Sequence, residues 1–137
     1  MNSAIRFFSV GGKTRDVAEE ISSIAGVPAE PLEKALEGPV DVLFIGAGVY
    51  EVALDKKVLD YISQLDKSKV GAVALFSTSS GDNVTDQMAL AASDNGIPLK
   101  GNPLQLVFGI KNFGIGYKFG LTKEDKEKIA DFVKAAL

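Results

Sequence analysis

The chain reads as an α/β protein: a doubly wound parallel sheet with helices on both faces. Three observations predict this. Apolar runs that suit strands alternate with segments whose apolar residues recur at helical spacing, and the connections between them are short. The strand expected at 41–46 is continuously apolar from Val42 onward, and that at 70–76 throughout, as a strand covered on both faces requires. Residues 1–137 are expected to form a single domain, long enough to bury one sizeable core.

In chain order, Ala4, Ile5, Phe7 and Phe8 predict a first buried strand. A glycine-rich turn over 9–14 leads to a helix with Val17, Ala18, Ile21, Ile24 and Ala25 on one face. Arg15, Asp16, Glu19 and Glu20 fall on the other. Pro28 and Pro31 confine the next stretch to an edge strand or to none, and 33–38 is a short polar link. The strand at 41–46 opens into a loop over 47–54. A helix follows with Val58, Leu59, Ile62 and Leu65 on its apolar face. The strand at 70–76 ends in a hydroxyl-rich loop over 77–83. The helix after it runs through Met88, Leu90, Ala91 and Ala92 and stops at Asn95-Gly96. Residues 104–109 predict a last strand. Thr122 and Asp125 then open the final helix as a capping box, with Ile129, Phe132, Val133 and Ala136 as its buried stripe.

The 9–14 turn is the stretch with the clearest chemistry. A strand, a tight polar turn and a helix N-terminus make an anion site, because the first-turn N–H groups and the positive dipole end converge there. Gly11 and Gly12 admit a phosphate close to the backbone, while Ser9 and Thr14 supply hydroxyl donors. Gly12-Lys13-Thr14 matches the tail of a nucleotide-triphosphate loop, but the glycine that motif needs is Phe7 here. Gly11-Gly12 also lacks the dinucleotide spacing. An ordinary βα connection uses such glycines too, so the turn alone leaves both readings open.

Composition removes several function classes. The formal net charge of −3, with no clustered basic stripe, argues against nucleic-acid binding and suits a partner with a basic surface. There is no cysteine or histidine, hence no thiolate nucleophile, no imidazole base and no expected metal site. The chain enters a strand without a signal-like segment and has no apolar run of membrane-spanning length, so a cytoplasmic location is expected. Acidic residues are missing directly after the first strand, which sets aside a phospho-acceptor receiver.

Three loops are predicted to meet beyond the carboxyl ends of the strands, at 9–14, 47–54 and 77–83. Phe8-Ser9-Val10-Gly11-Gly12-Lys13-Thr14, Ile45-Gly46-Ala47-Gly48-Val49-Tyr50 and Leu75-Phe76-Ser77-Thr78-Ser79-Ser80-Gly81 together resemble the flavodoxin family, and the likeness to its short-chain members covers the whole chain. That resemblance implies a flavodoxin-like five-stranded parallel sheet in the order 2-1-3-4-5 and the cofactor flavin mononucleotide (FMN). Carried over by position, Ser9, Gly12 and Thr14, with the backbone of Val10, Gly11 and Lys13, would hold the phosphate. Ala47, Gly48, Val49 and Tyr50 would form one wall of the ring site, Tyr50 stacking, and Ser77, Thr78, Ser79, Ser80 and Gly81 the other edge.

The chain departs from the family pattern in two places. Ser79 and Ser80 stand where an aromatic is common, and Glu51-Val52 follows Tyr50 where a glycine is frequent. A carboxylate near the reactive ring nitrogen disfavours an anionic reduced ring. The resemblance implies an FMN-binding electron-transfer protein with a redox protein as partner, and the departures shift the expectation from a pure electron carrier towards an FMN-dependent reductase or a donor to a larger redox enzyme. The other reading is a flavin-free binding module of the same fold, taking a phosphorylated ligand or a protein partner. Phe113, Tyr117 and Phe119, interleaved with glycines, read as a cover for the flavin edge, as a partner surface or as a packed connection.

Overall fold

The computed structural model describes residues 2–9, 12–50, 53–54, 56–78, 84–106 and 121–137, with only the backbone path at 49–50 and 53–54. The expected sites Val10, Gly11, Ser79, Ser80 and Gly81 lie outside the described residues, as do Glu51, Val52 and the aromatic stretch around Phe113.

In chain order the elements are β1 (Ser3–Phe7), α1 (Lys13–Ala25), β2 (Ala29–Pro31), β3 (Val40–Ala47), β4 (Val49–Tyr50), β5 (Ala53–Leu54), α2 (Lys56–Ser63), β6 (Val70–Ser77), α3 (Val84–Asp94), β7 (Leu104–Gln105) and α4 (Lys123–Ala136). Five strands form one sheet in the order β2-β1-β3-β6-β7, all pairs parallel. Counted among the sheet's own strands, this is the expected order 2-1-3-4-5.

Alternation along the strands sorts the core into two layers. Ile5, Val42, Phe44, Ala74 and Phe76 face Val17, Ala18 and Ile21 of α1 and Ile129, Phe132, Val133 and Ala136 of α4. Leu43, Ile45, Val73 and Leu75 face Val58 and Ile62 of α2 and Val84, Met88 and Ala92 of α3. Both faces of the central strands are covered, which is why their sequences are apolar throughout.

Gly46 is a glycine for a packing reason. Its partner in register, Phe76, lays its ring across the strand, and a Cβ at Gly46 would fall inside that ring. Phe132 of α4 meets both Phe44 and Phe76 edge-on, at centroid separations of 5.7 and 6.3 Å.

The helix ends follow their signals. Thr122 Oγ1 accepts the Asp125 N–H and the Asp125 carboxylate accepts the Thr122 N–H, completing the capping box. Gly26 closes α1 in the left-handed region. Asn95 does more than end α3: its side-chain amide donates to the carbonyls of Ile62 and Leu65, tying the end of α2 to it.

Three expectations are corrected. Ile24 is 40% exposed, because it falls just outside the arc that α1 buries through Thr14, Val17, Ala18 and Ile21. Where a loop over 47–54 is expected, Ala47 still belongs to β3, and β4 and β5 pair antiparallel, Val49 with Leu54 and Tyr50 with Ala53. The segment 33–38 is more than a polar link, since Leu36 packs on the α2–α3 side of the core and two backbone carbonyls there bind Arg6. The last strand is described only over Leu104–Gln105, and 107–109 lie outside the described residues.

Candidate functional site

The chain leaves β1 toward α1 and β2 on one side and returns to β3 on the other, so strand order switches beside β1. The loops that follow β1, β3 and β6 are stitched together at that end. The Phe8 N–H donates to the Gly46 carbonyl at 3.0 Å and the Thr78 N–H to the Ala47 carbonyl at 3.2 Å, extending the ladders past the strands.

The turn into α1 is built by its glycine. Gly12 has φ +90, a conformation L side chains rarely adopt, and its N–H donates to Ser9 Oγ at 3.0 Å. α1 has no side-chain cap, so its first-turn amides, Thr14 and Arg15 among them, have no acceptor within the helix. Ser9 and Gly12 also line a cleft of about 410 Å³ with Phe7, Arg15, Glu19 and Pro31 on the outer flank of the turn. Lys13 and Arg15 are exposed.

Thr14 is fully buried, and its Oγ1 lies 2.8 Å from Thr78 Oγ1. A hydroxyl pair shares one proton in its bond and retains a second donor, so the pair still has an O–H to offer. One residue before Thr78 in the chain, Ser77 Oγ is fully buried and has no hydrogen-bond partner. Such an orphan costs free energy until something satisfies it. Ala47 and Gly48 are buried. Tyr50 is placed by its backbone in the β4–β5 hairpin. At the rim, Lys57 Nζ sits 5.7 Å from the ring centroid of Phe8.

The structure therefore brings Ser9, Gly12, Thr14, Ala47, Gly48, Ser77 and Thr78 to one end of the sheet. No group of acidic side chains that could hold a metal ion occurs among the described residues, and no described helix is long and apolar enough to cross a membrane.

No family model and no curated protein sequence matches the chain. Solved structures do. A short-chain flavodoxin associated with a bacterial microcompartment superposes with a TM-score of 0.75 at 13% identity, covering 99% of this chain and 97% of that one. Flavodoxin 2 from Bacillus cereus superposes at 0.74 and 17%, covering 98% and 97%. The fold is that of the flavodoxins. It also matches part of a larger protein: rubredoxin oxygen:oxidoreductase from Desulfovibrio gigas superposes at 0.74 and 13%, covering 99% of this chain and 35% of that one.

Within the flavodoxin fold, two features of this chain escaped the sequence reading. The first is the burial of Thr14 against Thr78; no sequence signal links residues so far apart. The second is Arg6, a buried cation inside β1. Its signal was present, as a single charge in an otherwise apolar run.

Proposed function

We propose that this chain is an FMN-binding electron-transfer protein. The observation that supports it most is the glycine-shaped turn at the N-terminus of α1, which no side chain caps, beside the point where strand order switches. Ser9, Gly12, Lys13 and Thr14, with Val10 and Gly11, would hold the phosphate. Ala47, Gly48, Val49 and Tyr50 would border the ring on one side, and Ser77, Thr78, Ser79, Ser80 and Gly81 on the other. The orphan Ser77 hydroxyl fits this reading, because a polar ligand edge is what it lacks.

When bound, the flavin supplies the one- and two-electron chemistry. The chain's own residues bind and orient. The Thr14–Thr78 bond keeps the phosphate turn and the third loop at a set spacing. No side chain is assigned a catalytic proton transfer. The partner is a redox protein, and the likeness to part of a larger oxidoreductase supports a role as a donor to such an enzyme. A cytoplasmic location goes with this reading.

The test is titration of the protein with FMN, followed by visible absorbance. A perturbed flavin spectrum saturating at one equivalent is expected, with riboflavin binding more weakly because it lacks the phosphate. An unchanged spectrum overturns the proposal. Calorimetric binding of inorganic phosphate under those conditions would point instead to a flavin-free module.

A further inference from the structure

Arg6 is 5% exposed and is the only charged side chain buried among the described residues. It leaves β1 on the face shared by Ala4 and Phe8. Its Nε–H donates to the Lys34 carbonyl at 2.8 Å, Nη1 to the Ile5 carbonyl at 2.8 Å and Nη2 to the Ala35 carbonyl at 3.0 Å. A guanidinium has five N–H donors, so one on each terminal nitrogen is left over. Neutral carbonyls satisfy N–H groups without balancing a buried charge.

The obvious counter-ion is not used. Glu30 is the register partner of Arg6 across the β1–β2 ladder, on the same face, yet no ion pair joins them. Arg6 and Glu30 instead line a groove of about 510 Å³, together with Val27, Pro28, Glu37 and Pro39. The groove reaches the amino ends of β1 and β3, opposite the candidate FMN crevice, and its volume suits a small molecule.

We propose that this groove binds a small organic monocarboxylate. Its carboxylate takes the two remaining Arg6 N–H groups, which match the planar fork of that anion. Its apolar part lies against Val27, Pro28 and Pro39. Glu30 and Glu37 set the selectivity: they balance Arg6 and Lys34, which line the same groove, so a second negative charge on the ligand finds no unmatched cation there. Phosphate and dicarboxylates are therefore poor ligands.

The test is an NMR titration of the ¹⁵N-labelled full chain with sodium propionate, with sodium chloride and inorganic phosphate as controls at matched ionic strength. Saturable shifts are expected at amides of residues 2–6 and 27–40, with millimolar affinity and no movement at 12–14. Chloride and phosphate should leave those amides in place. Arg6 is kept, since its bonds hold the 34–35 backbone; the informative variant is Glu30→Gln, expected to tighten propionate binding roughly 2- to 10-fold by removing a like charge. Absence of saturable shifts, shifts reproduced by chloride or phosphate, or an unchanged affinity in Glu30→Gln would each overturn the proposal.

Discussion

The hydroxyl of Thr14, in the first turn of α1, lies 2.8 Å from that of Thr78, 64 residues further along the chain, and the pair is buried. Their bond joins the turn after β1 to the loop after β6, and so sets the spacing of two of the three loops around the candidate crevice. Replacing either threonine by valine keeps the shape and leaves the other hydroxyl buried and alone. Each single variant should lose ~1–3 kcal/mol of stability in urea unfolding, whereas the double valine variant should lose much less than the sum. Additive losses would show that the bond contributes nothing of its own.

Ser77 offers the opposite case. Its hydroxyl is buried without a partner, so Ser77→Ala should leave the flavin-free protein as stable as before or raise its stability by about 1 kcal/mol. The same change should weaken FMN binding if the hydroxyl meets the ligand. Unfolding and spectral titration on one variant separate the two effects.

Gly46 and Phe76 are coupled by volume. Gly46→Ala places a methyl group where the Phe76 ring lies, and should cost about 1–3 kcal/mol through overpacking. In a Phe76→Leu background the same substitution should cost less, as a double-mutant cycle would show.

Gly12→Ala tests a different constraint. A Cβ at Gly12 would meet nothing within 4 Å, so only the backbone conformation at φ +90 resists it. The expected cost is about 1–2 kcal/mol, accompanied by weaker FMN binding as the turn reshapes. Circular dichroism melting and flavin titration report the two losses.

Tyr61 predicts an alkaline response. Burial pushes its phenol above the ordinary value of 10.0, and the Arg6 charge draws it partly back. A raised value in the folded state means the fold holds the proton longer than the unfolded chain does. Its stability contribution is thus full below about pH 10. It is lost as pH rises from there through the folded value. Tyr61→Phe should flatten the fall in urea midpoint over that window, measured against the parent protein.

Much of this architecture is legible in the sequence. Ile129, Phe132, Val133 and Ala136 recur at helical spacing and all four are buried; Thr122 and Asp125 cap that helix as their spacing requires. The apolar runs of β3 and β6 identified the covered centre of a parallel sheet, and the short, proline-bearing β2 identified an edge. The tight turn into α1 followed from its glycines, of which Gly12 takes the left-handed conformation. These features are legible because helix faces, caps and tight turns depend on residues within one or two turns of one another.

What only the tertiary structure decided is lateral. Whether Ile24 is covered depends on how far α1 and its neighbours reach around the core. That Gly46 needs the space of Phe76, that Thr14 finds Thr78, and that Arg6 sits beside Glu30 without pairing all depend on which strands become neighbours and in what register. Periodicity along one segment carries no information about such pairings, because the free energy that selects them comes from burying both faces of the sheet at once.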